Sequence, residues 1–367
     1  MLESIKGYNA VLTILIATLT LKAYSLMFAD TPYALVITYG VLGIMFFIYV
    51  LRLINAREIL VSDIIFILLI LLILIFFRKK QLLALCVICL AFLPLSPNET
   101  IKIYRNSSAL ALLIAFVYGL LTGKLYSLDR GTFTMGMGNE NSAGFLLALI
   151  ATIILLDSQG ANKKKSVSLY ILVMIVENFV FGDRTALIML VLFPLILKIM
   201  YKFSMTKFLK LGVIIFPGIM AYTTYWMTIN FPRYGFLVTL NHLLSDRINI
   251  WNYYFTRTPI SLISNNNIFV VSAWGADYTP HQGAFDGSYA YILYVLGLIF
   301  LGIFVCGLSL CNYKLLKNNQ LTLLALIVTL ELVGFSENGL FSYALSFGSI
   351  FALMGYHKNW LTRRDIE

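Results

Sequence analysis

Apolar residues run through this chain in blocks of about the length that crosses a hydrocarbon layer, separated by short polar turns, and no stretch alternates with the period of two that marks a strand. Lipid leaves no backbone group unsatisfied, so blocks of this kind must be helices. The pattern predicts twelve of them, near 8–28, 33–54, 59–77, 81–96, 108–126, 142–157, 167–182, 185–201, 208–228, 288–311, 320–336 and 340–357. The blocks at 81–96 and 167–182 are barely long enough. One polar excursion interrupts the pattern, from 229 to 287, and it carries Arg233, Asp246, Arg247, Arg257, Asp277, His281 and Asp286. The expected architecture is therefore all-α: one integral membrane domain over 1–367 with a long external loop between the ninth and tenth helices.

Composition agrees with the pattern. Hydrophobic residues make up 60%, charged residues 12%, and mean hydropathy is +0.87, values that exclude a soluble domain of 367 residues. Basic residues stay cytoplasmic in short loops. With the N-terminus inside, 17 of the 27 Lys and Arg fall on the cytoplasmic side, including Lys163 to Lys165 and Arg363 and Arg364, and the long loop faces outward. Arg78-Lys79-Lys80 runs against that orientation. Both termini are expected in the cytoplasm. The net charge of +10 sits mainly at these loop ends, where anionic headgroups account for it, so nucleic acid is not an expected partner. The first apolar block follows Lys6 without a small-residue cleavage site and reads as an anchor. Cys86-x-x-Cys89 lies in an apolar block with no second pair or His nearby, so neither zinc nor a disulfide is implied. No internal repeat is visible, which argues against transporter folds built from two related halves.

Outside the Arg78–Lys80 cluster, the external basic residues are Lys124, Arg130, Arg184, Arg233, Arg247 and Arg257. Arginine presents a planar fork that matches phosphate oxygens and never deprotonates. Ordinary loop solvation is the competing reading for each of them. Gly136 to Gly144 opens the sixth block with Asn139, Asn141 and Ser142, side chains suited to cap a helix whose N-terminus also favours anions. Phe181-Gly182-Asp183-Arg184-Thr185 turns the chain at the same side, where Arg184 pairs with Asp183 or meets a lipid-linked phosphate.

The order of these motifs carries a resemblance. Asn139-x-Asn141-x-x-Gly144, then Gly182-x-Arg184-Thr185-Ala186, then Arg247-x-x-x-Trp251, then Asp286-Gly287-Ser288-Tyr289 followed by Leu296-Gly297-Leu298-Ile299, resembles the superfamily of Wzy polymerases and O-antigen ligases over residues 130–345. Members often place Pro between the two asparagines and Asn after the Asp or His, where this chain has Glu140 and Gly287. The resemblance implies a membrane glycosyltransferase, similar in architecture to GT-C enzymes, in the bacterial plasma membrane. It would join saccharide repeat units carried on undecaprenyl pyrophosphate at the outer face, without metal or cofactor. Arg184 and Arg247 would hold pyrophosphate, and His281 or Asp286 would be the base. Asn139, Asn141, Arg130, Arg233, Arg257, Trp251 and Glu337 would contact substrate. A chain-length regulator and a flippase are the partners the resemblance implies beyond the bilayer itself. A ligase-type transferase, a flippase of lipid-linked saccharide and a non-enzymatic assembly subunit are the alternatives.

Overall fold

The computed structural model describes residues 2–28, 31–55, 61–127, 131–158, 162–202, 206–257, 259–264 and 285–362. They form an all-helical, multi-pass membrane protein, with no strand among the described residues. Six helices are long and apolar enough to cross a bilayer: α2 (Ala34–Asn55), α5 (Pro97–Thr122), α6 (Glu140–Asp157), α8 (Arg184–Lys202), α9 (Lys207–Asn230) and the interrupted run from Ser288 to Lys317. Four shorter apolar helices accompany them, within α1 (Leu2–Leu26), α3 (Val61–Phe77), α4 (Lys80–Phe92) and α14 (Leu321–Val333). Large apolar side chains stand exposed along the spans, Val36, Phe47, Ile65 and Phe179 among them. Water would not tolerate so many on one molecule; lipid is the solvent in which that surface costs nothing.

The expected twelve crossings need correction at three places, one of them α14, whose 13 residues are mostly buried as in α4. Helix α4 has 13 residues, about 20 Å at 1.5 Å per residue, against a hydrocarbon core of about 30 Å. Ten of its side chains are buried, as expected of a helix apolar all round and enclosed by protein. The block at 340–357 holds only a 3-10 turn at Asn338–Leu340 and the seven-residue helix α15 (Gly348–Met354). Its glycines and serines break the helical repeat, and serine satisfies the freed backbone locally: Ser346 Oγ donates to the Gly339 carbonyl at 2.5 Å and accepts from Gly348 N at 3.1 Å. Irregular backbone at this depth survives because it is enclosed, with Phe347 and Phe351 fully buried.

Helix α5 begins eleven residues before the expected 108. A capping box closes its start, Ser96 accepting from Glu99 N and Glu99 accepting from Ser96 N, with Pro97 at the first helical position. Lys102 and Arg105 therefore lie on the helix. Arg105 pairs with Asp157 at the C-terminal end of α6, at 2.5 Å. Helix α7 (Asn162–Val176) continues as a π-helical turn, Glu177–Phe181, which Gly182 ends in the left-handed region. A second π-turn, Ile292–Leu296, separates α12 (Ser288–Tyr291) from α13 (Gly297–Lys317). Single π-turns inside helices re-aim side chains and recur at functional sites.

The excursion at 229–287 is not a plain loop. Its described part contains α10 (Gly235–Leu243) and α11 (Arg247–Arg257), the latter packed against α9. Two spans' worth of buried charge also finds partners. Lys22 donates to the Ala344 carbonyl at 2.6 Å and lies 4.5 Å from the Tyr104 ring, while Glu331 accepts from Asn312 Nδ2 at 2.9 Å.

Candidate functional site

The turn between α10 and α11 sets the site. Ser245 and Asp246 both take positive φ, and Asn241 holds that strained turn by donating to Asp246 Oδ1 at 2.8 Å and accepting from Asn249 N at 2.9 Å. Asn and Asp tolerate such conformations because their side chains bond the local backbone. Helix α11 thus starts with Arg247 pointing into the bundle, its side chain only 11% exposed. One turn on, Trp251 is fully buried, edge-on to Phe335 at 5.6 Å, and its indole N–H donates to the Asp286 carbonyl at 2.6 Å.

That indole explains Gly287. A Cβ there would meet Trp251 Cζ2 at 2.7 Å and the Phe335 carbonyl at 2.8 Å, and the residue has φ of 100°. Glycine alone fits both demands. The Ser288 hydroxyl then donates to the Glu337 carbonyl at 2.8 Å and accepts from Phe341 N at 3.2 Å, joining the start of α12 to the chain that follows α14. Asp286 and Glu337 come together in this way from positions 51 apart in sequence.

Arg247 Nη2 contacts both carboxyl groups, donating a short hydrogen bond to Glu337 Oε1 and reaching Asp286 Oδ2 at 3.5 Å. Asn338 Nδ2 donates to Asp286 Oδ1 at 3.1 Å, and the Thr185 hydroxyl donates to Glu337 Oε1 at 3.2 Å. Nε and Nη1 of Arg247 have no acceptor among the described residues, so three of its five N–H donors are uncommitted. Beneath them lies more acid. Asp183 caps α8, its Oδ1 accepting from Thr185 N at 2.9 Å and Ala186 N at 3.2 Å, while its Oδ2 is buried and unbonded. Glu177, carried inward by the π-turn, is fully buried. Gly144 makes room for both: a Cβ at that position would stand 2.6 Å from Glu177 Oε2 and 3.1 Å from Asp183 Oδ2.

One guanidinium therefore serves a cluster of carboxyls. Burial pushes Glu337 up from 4.5 to about 8, with Asp286 and Asp183 adding to the rise, and the contact with Arg247 and the bond from Thr185 opposing without reversing it. Burial likewise raises Asp183 to about 6, against its two backbone bonds and the pull of Arg247. Asp286 is raised by burial, again against Arg247. The charge count points the same way: three carboxyls around one cation keep a proton among them near neutrality.

The residues expected from sequence are distributed unevenly over this geometry. Arg247, Asp286 and Glu337 converge, and Trp251 supports Asp286 from the buried side, which removes it from any stacking role on a sugar face. Arg184 is adjacent to the site in sequence, yet its side chain is exposed; its neighbours Asp183 and Thr185 are the ones that enter. Asn139 is the N-cap of α6, its Oδ1 accepting from Asn141 N at 2.9 Å, so capping accounts for the pair. Arg233 is exposed. Arg257 ends α11, and its side chain, like His281 and Arg130, lies outside the described residues. Sequence reading passed over Thr185, Asn338 and Glu177 as site members. The run Glu337-Asn338 beside a glycine was a usable signal for Asn338; nothing in the local sequence distinguishes Glu177 from any other residue of its apolar block. Among the described residues, no group of three His, Cys, Asp or Glu side chains has the arrangement to hold a metal ion. Compared with known proteins, no family model, no curated sequence and no solved structure matches this chain.

Proposed function

We propose that the protein is a membrane glycosyltransferase that joins saccharide repeat units carried on undecaprenyl pyrophosphate at the outer face of a bacterial plasma membrane. The observation that supports this best is the environment of Arg247: a nearly buried guanidinium with three N–H donors that meet no acceptor among the described residues, set against two carboxyls. An arginine held this way has a fixed orientation and unspent donors, the properties that stabilise a pyrophosphate as it leaves.

The reaction needs little else. The oxygen of an acceptor hydroxyl attacks the anomeric carbon of the donor saccharide as the bond from that carbon to the pyrophosphate oxygen breaks. The pyrophosphate departs with the electron pair beside Arg247, and the hydroxyl proton passes to a base. Asp286 has the geometry for that role: Asn338 and Arg247 fix its side chain, 24% of which is open to an approaching hydroxyl. Burial makes it a stronger base than an exposed carboxylate. Glu337 holds its own proton near neutrality and is placed to return one to the leaving phosphate as an acid.

The test is direct. Purified protein in liposomes, given lipid-linked repeat unit extracted from producing cells, is expected to yield lipid-linked oligomers of graded length. Single transfer to a different lipid acceptor would mark a ligase, and transbilayer movement of the substrate without any new glycosidic bond would mark a flippase.

A further inference from the structure

A second feature adjoins the carboxyl cluster. A cavity of about 360 Å³ opens between the end of α1, the start of α4, the end of α12 and the irregular chain at 338–344. Its wall carries Ser25, Gln81, Tyr291, Asn338, Ser342 and Tyr343, with Phe341 supplying an aromatic surface. No charged side chain lines it; the Lys22 ammonium bonds the Ala344 carbonyl instead. Asn338 belongs to both places. Its amide nitrogen donates to Asp286 Oδ1 and to the Phe285 carbonyl, each at 3.1 Å, while its amide oxygen is buried without a partner.

We infer that this cavity binds an uncharged saccharide, the sugar end of one of the two substrates, next to Asn338, the residue that also bonds Asp286. The inference rests on the transferase reading above and deepens it. Three observations decide the class of ligand. Hydroxyls and amides set among Leu26, Leu85, Ala344 and aromatic surface match a molecule that offers both neutral donors and acceptors and apolar C–H faces. Pyrophosphate is excluded here because it requires cations, which this wall lacks and the neighbouring Arg247 provides. An isoprenoid chain offers hydrogen bonds to none of these side chains, at a cost of about 1–3 kcal/mol for each group it leaves unbonded, a cost that Tyr291 and Gln81 escape because the tyrosine hydroxyl donates to the amide oxygen at 2.6 Å. The volume lies at the lower end of the roughly 300–1,000 Å³ range of small-ligand sites, so it takes a terminal portion of a repeat unit and leaves the lipid outside.

The experiment uses Ser342→Cys and, on a different wall, Ser25→Cys, each close in size to the residue it replaces. The purified protein in liposomes is labelled with a small neutral methanethiosulfonate, with the unsubstituted protein giving the background from exposed Cys306. Lipid-linked repeat unit is expected to slow labelling at both positions at least fivefold, and undecaprenyl pyrophosphate without sugar to leave it unchanged. Equal slowing by the bare lipid pyrophosphate overturns the inference in favour of an isoprenoid site. No slowing by either, or no labelling at either position, overturns it outright. Polymer formation by the unsubstituted protein is followed in parallel. Graded oligomers without protection sink the subsite alone, whereas protection without any transfer, in a preparation active for binding, sinks the transferase reading alone.

Discussion

Glu337 lets the charge arrangement be tested without knowing the substrate. Its carboxyl ionises at about 8 in the folded protein and near 4.5 when exposed, so between those values the folded state binds more protons than the unfolded state. Stability must fall as pH rises through that window. Holding the proton to about 8 instead of 4.5 corresponds to a penalty on the order of 5 kcal/mol once the pH exceeds both values. In Glu337→Gln the amide removes the penalty because it never ionises. The attraction of Arg247 is already contained in the value of about 8, so no separate cost of a broken pair is added, and Asp286 still faces the guanidinium. At pH 5 the folded Glu337 is already neutral, so variant and parent should unfold within about 1 kcal/mol of each other, as expected of a near-isosteric exchange. At pH 8 the variant should be the more stable by several kcal/mol, which at roughly 2–4 °C per kcal/mol for a sizeable chain is a Tm higher by about 5–10 °C. Tryptophan fluorescence of detergent-solubilised protein follows the transition, Trp251 standing at the site. A difference between variant and parent that is the same at pH 5 and pH 8, with the variant the less stable at both, would show that the pair with Arg247 outweighs burial and that Glu337 is a plain anion throughout this range.

Four further outcomes are expected. Arg247→Lys keeps the charge but not the fork, and should lower polymer formation at least tenfold with normal protein levels, while the exposed Arg184→Lys should stay within threefold of the parent; comparable losses in both would return Arg184 to the site. Gly144→Ala drives a methyl into Glu177 and Asp183 and should cost about 1–3 kcal/mol, read as a lower Tm, since overpacking of that size is typical; an unchanged Tm would mean that the two carboxyls are not held together. Asp286→Asn should damage polymerisation more than His281→Gln at matched expression, because Asp286 is fixed by Arg247 and Asn338, and the reverse order would transfer the base to the histidine. A topology reporter fused after Asn265 should read external and one after Lys164 cytoplasmic; a cytoplasmic signal at Asn265 would remove the substrate pool on which the proposal depends.

Hydrophobic pattern alone was enough to determine an all-helical membrane protein, because lipid admits few backbone solutions and the composition admits no other solvent. It also located the polar excursion and, within it, Arg247 and Asp286. It overcounted full-length crossings where apolarity had another cause: α4, α14 and the 340–357 segment are enclosed by protein, and a run of apolar residues does not say whether lipid or protein lies alongside. The start of α5 is marked in the sequence by Ser96-Pro97-Asn98-Glu99, a capping box that hydropathy does not register because Asn98, Glu99 and Lys102 are polar. What only the tertiary structure decided is which polar residues meet. Arg184 and Thr185 are neighbours in one motif, yet helix geometry sends the hydroxyl to Glu337 and leaves the guanidinium exposed. Trp251 reads as a substrate contact until its ring is found under Gly287. Glu177 is one acid in an apolar block, and only a π-turn, which no local pattern announces, rotates it onto Gly144 beside Asp183. Sequence spacing sets which face of a helix a residue occupies; the packing of α6, α8, α11 and α14 sets what that face touches.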